Sequence, residues 1–90
     1  MQNYRSRFGE IDLIMQDGTT LVFIEVRLRR NAGFGGAAAS IDTHKQQRII
    51  STAQQYLASL ARPPPCRFDA VLLDDVQGRN MQWLKNAFDA

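Results

Sequence analysis

Hydrophobic and polar residues alternate from Glu10 to Met15 and again from Thr20 to Arg29, the pattern of strands half-buried in a sheet. The second run carries Thr20, Val22, Phe23, Ile24 and Val26, β-branched and aromatic residues that suit a pleated surface. Between the runs lies Asp17-Gly18, a dipeptide that favours tight primed turns, so the stretch predicts a hairpin. A loop at those two residues pairs Gln16 with Thr19 and, counted outward, sets Glu10 opposite Glu25 and Asp12 opposite Phe23. Residues directly opposite share a face. Alternation then puts Glu10, Asp12, Glu25 and Arg27 on one face and Ile11, Leu13, Met15, Val22, Ile24, Val26 and Leu28 on the other. A four-residue loop preserves this parity; a three-residue loop with a bulge breaks it.

Around the hairpin the pattern predicts four further elements. Asn3 to Arg7 reads as a short strand leading to a bend at Gly9. A helix is expected from Asp42 or Thr43 to Ala61, with Ile49, Ile50, Ala53, Tyr56, Leu57 and Leu60 as its apolar stripe. Thr43 and Gln46 have capping-box spacing, and Ser40 or Asp42 could serve as the cap instead. Arg62 and the prolines at 63, 64 and 65 stop the helix, because proline has no backbone N–H to give. Cys66 to Asp74 reads as an interior strand, nearly continuous in hydrophobicity at Val71, Leu72 and Leu73. Met81 to Phe88 reads as a strand or a helix whose Trp83, Leu84 and Phe88 seal the edge of the core. The order implies a single α/β domain over residues 1–90: a mixed α+β sheet built from an antiparallel β-meander, a crossover helix and a further strand.

Composition narrows the class without changing this picture. The chain has 90 residues, 44% hydrophobic and 22% charged, which is ordinary for one small globular domain. Its one cysteine, Cys66, excludes an internal disulfide framework and lacks zinc-site spacing, and it reads as a small buried hydrophobe. No run has membrane-spanning length and the first residues have no signal-peptide core, so a cytoplasmic protein is expected. A net charge of +2 does not by itself argue for a nucleic-acid partner. The glycine-rich Asn31 to Ala37 segment is a loop; no Gly-Lys-Ser/Thr follows, so it is not a phosphate-binding P-loop.

Charge placement carries the chemistry. Three carboxylates, Glu10, Asp12 and Glu25, on one half-buried patch require a compensating cation, and oxygen ligands favour a hard divalent ion, Mg²⁺ or Mn²⁺. Asp12 and Glu25 are the expected metal ligands. Glu10 would ligate a second ion or accept a proton, and Arg27 would orient water or balance charge in phosphodiester hydrolysis. Arg29, Arg30, Lys45 and Arg48 are candidate contacts to a nucleic-acid backbone, the plainer reading being solvated charge. Asp69, Asp74 and Asp75 are rival ligands, and His44 is expected at the surface.

Arg5-Ser-Arg7-Phe-Gly-Glu-Ile-Asp-Leu-Ile14 and Leu21-Val-Phe-Ile-Glu-Val-Arg27 are joined by later matches. These are Lys45-Gln-Gln-Arg48, Ala53 with Tyr56-Leu57, Cys66-Arg-Phe-Asp69, and Trp83 with Ala87-Phe88. At these residues the sequence resembles the YraN-type bacterial family of uncharacterised proteins. That family is similar to the PD-(D/E)XK superfamily of restriction-endonuclease-like proteins, near the archaeal Holliday-junction resolvases. The resemblance implies a restriction-endonuclease-like core and metal-dependent cleavage of DNA, branched DNA included. Under it Asp12 matches the superfamily's first Asp, Glu25 its second acid, and Glu10 the extra acid of the Gly-Glu-x-Asp pattern. Arg27 stands where the family usually has Lys and cannot accept a proton. The alternative is therefore a catalytically weak or inactive nucleic-acid-binding module. The family ordinarily has an N-terminal helix before the first strand; without it, one sheet face would be covered by a second subunit in a homodimer.

Overall fold

The computed structural model describes residues 2–28, 41–73 and 81–89. They form β1 (Gln2–Ser6), β2 (Gly9–Asp17), β3 (Thr20–Leu28), α1 (Thr43–Ala58), β4 (Cys66–Leu73) and β5 (Met81–Phe88). The strands make one five-stranded sheet in the order β1-β2-β3-β4-β5. Only β3 and β4 pair in parallel, joined through α1; every other pair is antiparallel. This is the expected meander, crossover and further strand, with β5 added on the far edge.

The helix starts where its cap is satisfied. Asp42 is extended, and its Oδ1 accepts the Lys45 backbone N–H at 2.8 Å, while the Gln46 side chain donates to the Ile41 carbonyl at 2.9 Å. Of the caps weighed above, Asp42 is the one used. The helix ends at Ala58, three residues before the expected Ala61, because Ser59 turns its N–H back to the carbonyls of Tyr56 and Leu57. Leu60 therefore leaves the stripe.

Between α1 and the sheet, Ile11, Ile14, Phe23, Ile49, Ala53, Phe68 and Phe88 form the main core. Phe23 stacks on Phe68 and Phe68 on Phe88, at 5.5 and 5.0 Å between ring centres, and Tyr56 sits edge-on to Tyr4 and Phe23. Each fully buried side chain of this size contributes roughly 1.5–3 kcal/mol. Val22, Ile24 and Val71 make a second apolar cluster on the other face, with Leu13, Val26 and Leu73 packed against it.

Two expected placements are corrected. The hairpin loop is Gly18-Thr19, since Asp17 pairs with Thr20, Met15 with Val22 and Leu13 with Ile24. The shift is two residues, so the faces survive and only the partners change. Gly18 takes φ of +63°, and glycine at the first central position is the type II′ pattern, whereas a loop at Asp17-Gly18 would require aspartate itself in left-handed space. Asp17 is also drawn into the strand by Arg67, whose Nη1 lies 2.8 Å from Asp17 Oδ2. Ile11 is the second correction: it packs with Ile14 and Phe23 beneath the helix and not with Leu13 and Ile24. Parity is lost because the β2/β3 ladder stops at Leu13↔Ile24 and β2 turns to follow β1, where Tyr4 pairs with Ile11.

The last segment is a strand, and its register places Trp83 opposite Val71 on the face away from α1. Trp83 is 42% exposed and does not seal the core; Leu84, Ala87 and Phe88 do so. Cys66 is only half-buried, with its thiol pushed up from 9.0 by desolvation. His44 is exposed, as expected. Arg29, Arg30, the 31–37 loop, Asp74 and Asp75 lie outside the described residues.

Candidate functional site

Asp12 sits where the hairpin opens. One step beyond the last paired residues, Leu13↔Ile24, the register faces Asp12 with Glu25. The backbone there has lost its ladder partner, and the Asp12 side chain replaces it: Oδ2 accepts the Val26 N–H at 2.9 Å. Glu25 is therefore across from Asp12 and not from Glu10. It is 6% exposed, on the centre of the sheet, under the first turn of α1.

The counter-charge to Glu25 comes from that helix. Lys45 Nζ is 2.8 Å from Glu25 Oε1, in a cavity of about 260 Å³ lined by Gly9, Glu10, Asp12, Glu25, Lys45, Arg48 and Ile49. Gly9 lies against the helix, where a Cβ would be in ordinary contact with Thr52 Oγ1 at 3.5 Å and Arg48 Cβ at 3.6 Å; what favours glycine there is the backbone, with φ of +153°. Thr52 is fully buried against the same strand end, donating to the Arg48 carbonyl and accepting from Ser6 Oγ.

The expected residues divide accordingly. Asp12, Glu25 and Glu10 share the cavity, but Glu10 lies at the rim, where Arg5 Nε pairs with it at 3.3 Å. Among the described residues, no three acidic, histidine or cysteine groups are gathered as for an ion. The two carboxylates left together on the inner wall of the cavity are Asp12 and Glu25. Lys45 and Arg48 line the cavity, and Arg27 is half-buried beside it without lining it. Asp69 is no ligand: fully buried, its carboxylate accepts from Arg67 Nε, Trp83 Nε1 and the Asn86 N–H. Sequence reasoning missed the Lys45–Glu25 pair, since nothing in the spacing says which face of the sheet receives the helix start.

Burial raises the Glu25 pKa above 4.5, the Asp12 charge adding to the rise, while the Lys45 hydrogen bond and the Lys45 and Arg27 charges oppose it. The native state therefore holds this proton to higher pH than the unfolded chain does. Its contribution to stability is fullest below 4.5 and is lost as pH rises through the native value. Glu25→Gln removes that cost. Urea denaturation is expected to give the variant an advantage on the order of 1 kcal/mol at neutral pH that shrinks toward the ordinary glutamate range. An advantage that grew as pH fell would contradict this sign.

A second depression lies on the other face, bounded by Met15, Asp17, Val22, Arg67, Trp83 and Lys85. Its Arg67 is committed to Asp17 and Asp69, and the pair holds Asp17 below its ordinary 3.8. No helix among the described residues is long and apolar enough to cross a membrane.

Three relatives align with nearly the whole chain. A protein of Nitrosospira multiformis is 58% identical over 88 residues, spanning 98% of this chain and 74% of its own. One from Janthinobacterium sp. (strain Marseille) is 57% identical over 89 residues, covering 99% and 70%. One from Psychromonas ingrahamii is 56% identical over 87 residues, covering 97% and 70%. All three bear the name UPF0102 protein. The model of the uncharacterised protein family UPF0102 matches residues 1–73, so the site and the strands that carry it lie within the match, and the chain belongs to that family, the YraN-type family expected from its motifs.

Proposed function

We propose that the chain is a metal-dependent endonuclease that hydrolyses phosphodiester bonds in DNA, branched DNA included. The observation that carries this reading is the meeting of Asp12 and Glu25 where the β2/β3 ladder opens, inside a cavity rimmed by Lys45 and Arg48. The motif resemblance to restriction-endonuclease-like proteins supports it, and so does a mixed sheet whose β2 and β3 bring both acids to one cavity beneath the helix start.

The residues fit a hard divalent ion. Asp12 and Glu25 offer carboxylate oxygens in a polar cavity, Glu10 offers a third from the rim, and no soft ligand is near. When bound, Mg²⁺ or Mn²⁺ supplies Lewis-acid charge for the phosphate and lowers the pKa of a coordinated water. The chain contributes the rest. Asp12 is held by the Val26 N–H, so its free oxygen is aimed without loss of rotamer freedom at binding. Glu25 is held by the sheet and by Lys45. Arg48, exposed at the cavity mouth, is placed to meet a neighbouring phosphate, and Arg29 and Arg30, outside the described residues, are further candidate phosphate contacts on sequence grounds.

Incubation with single-stranded, duplex and four-way-junction DNA, with Mg²⁺ or Mn²⁺ and with chelator, tests the reading. Products are expected with metal and not with chelator. DNA binding without metal-dependent product on any substrate would favour the alternative, a nucleic-acid-binding module on the same fold, for which Arg27 at a position expected to hold lysine is the motivating residue.

A further inference from the structure

The helix contributes a basic group that pairs directly with Glu25. Arg27 is on β3, two residues beyond Glu25, yet it does not line the cavity. Lys45 does, and its ammonium is 2.8 Å from Glu25 with the side chain only 35% exposed. We infer that Lys45, and not Arg27, is the catalytic cation of this site, contacting the scissile phosphate of a bound polynucleotide. The inference rests on the endonuclease reading and names the residue that reading lacked.

The geometry supports a fixed role for Lys45 and not a loose surface contact. Its backbone N–H is tied to Asp42 Oδ1 at 2.8 Å, and the helix is tied to the sheet by the Thr52 hydroxyl, which accepts from Ser6 Oγ on β1. The backbone of the lysine is thus fixed and its ammonium is held at the cavity by Glu25 before substrate arrives, so that only its stem has to turn to meet a phosphate. Lysine also suits the place. A compact ammonium on a four-carbon stem can pass from Glu25 to a phosphate oxygen by rotating its stem, which a planar guanidinium locked in one fork cannot do as readily. Asp12 and Glu25 would hold a divalent ion that would supply counter-charge to Glu25, and Lys45 would then be free to turn toward the phosphate.

In the hydrolysis itself, the water oxygen forms a bond to phosphorus and the bond from phosphorus to the leaving ester oxygen breaks, its electron pair leaving with that oxygen. The attacking water loses a proton to solvent and the leaving oxygen gains one from solvent. Lys45 changes neither bond count nor proton count; it balances charge on the non-bridging oxygens as the fifth bond to phosphorus forms. Arg48, one turn further along α1 at the cavity mouth, is left the outer phosphate.

Lys45→Gln and Lys45→Met test this, measured beside the unmutated protein and Asp12→Asn. Three readouts are needed: single-turnover cleavage of DNA with Mn²⁺, DNA affinity by fluorescence anisotropy in the absence of divalent metal, and the Mn²⁺ midpoint for thermal stabilisation. Circular dichroism confirms folding; two substitutions guard against one that fails to fold. The expected result is a loss of about 10²–10³ in the cleavage step. DNA affinity should change less than about tenfold, and the Mn²⁺ midpoint should be unchanged or lower, since the ammonium no longer competes for Glu25. Lys45→Arg should recover part of the rate.

Cleavage within about threefold of the unmutated rate, with Asp12→Asn inactive, would overturn the role of Lys45 and leave the endonuclease reading standing. So would a defect confined to DNA affinity, which makes Lys45 an ordinary phosphate contact, or a raised Mn²⁺ midpoint, which makes it a support for Glu25. Absence of metal-dependent cleavage by the unmutated protein overturns both readings together.

Discussion

Asp69→Ala is expected to cost about 3–5 kcal/mol and to leave the chain largely unfolded at 37 °C, because it empties a fully buried acceptor site on which three donors converge, one of them the half-buried Arg67, which keeps only Asp17. Asp69 is wholly buried; Arg67 Nε reaches it at 3.1 Å, Trp83 Nε1 at 2.8 Å and the Asn86 N–H at 3.1 Å. The last of these closes a gap in the sheet. Between Phe68↔Phe88 and Ala70↔Leu84 the β4/β5 ladder slips, Asn86 takes φ of +53°, and the Asp69 carboxylate holds the backbone that the ladder cannot. Asp69→Asn keeps the shape but loses the charge facing Arg67 and turns a donor toward other donors, so an intermediate loss of roughly 2 kcal/mol is expected. Native stability for a domain of this size lies at the low end of about 5–15 kcal/mol, so the alanine variant removes most of it. Urea denaturation followed through the fluorescence of the sole tryptophan, Trp83, measures both. A loss under about 1 kcal/mol for Asp69→Ala would mean that solvent satisfies these donors and that the anchor is incidental.

The architecture was legible in the chain because each element carries a local signal. Alternation marked the hairpin, a polar cap and a 3.6-residue stripe marked the helix, and the Val71-Leu72-Leu73 run marked the strand that parallel pairing buries. What failed were features decided by backbone irregularity. The loop slid one residue, and the pairing two, because Gly18 is better placed first in the turn than second and because Arg67, fifty residues away, holds Asp17 in the strand. Ile11 changed faces because the ladder ends beside it. Trp83 lies on the face away from Leu84 because the last segment is a strand, a choice between strand and helix that the sequence left open. None of these has a periodic signature. The acidic pair was visible despite the wrong register, since a shift of two keeps Asp12 and Glu25 on one face. Lys45 was visible only as a basic residue near a helix start, because its partner is set by which part of the sheet the helix start covers.

Asp12 and Asp69 do the same structural job and should respond differently to the same change. Each aspartate bonds a backbone N–H where a ladder is interrupted, Val26 for one and Asn86 for the other. Asp69 is saturated by donors and enclosed, so its charge is consumed by the fold. Asp12 spends one oxygen on Val26 and faces a cavity beside the ionisable Glu25. Asp12→Asn keeps an amide oxygen for the Val26 N–H, and the folded state is expected to lose no more than about 1 kcal/mol. The variant loses instead the charge that a divalent ion requires. On the endonuclease reading, metal-dependent cleavage should fall by about 10³-fold or more, with thermal stabilisation by Mn²⁺ abolished. Asp12→Ala should match that loss of activity and additionally cost roughly 1–2 kcal/mol, since Val26 is then left without an acceptor. Equal destabilisation in Asp12→Asn and Asp69→Asn would show that Asp12 is another closed anchor. A cleavage rate for Asp12→Asn within about tenfold of the unmutated protein would remove Asp12 from the chemistry, and the opening in the β2/β3 ladder would then be a structural irregularity and not the seat of a reaction.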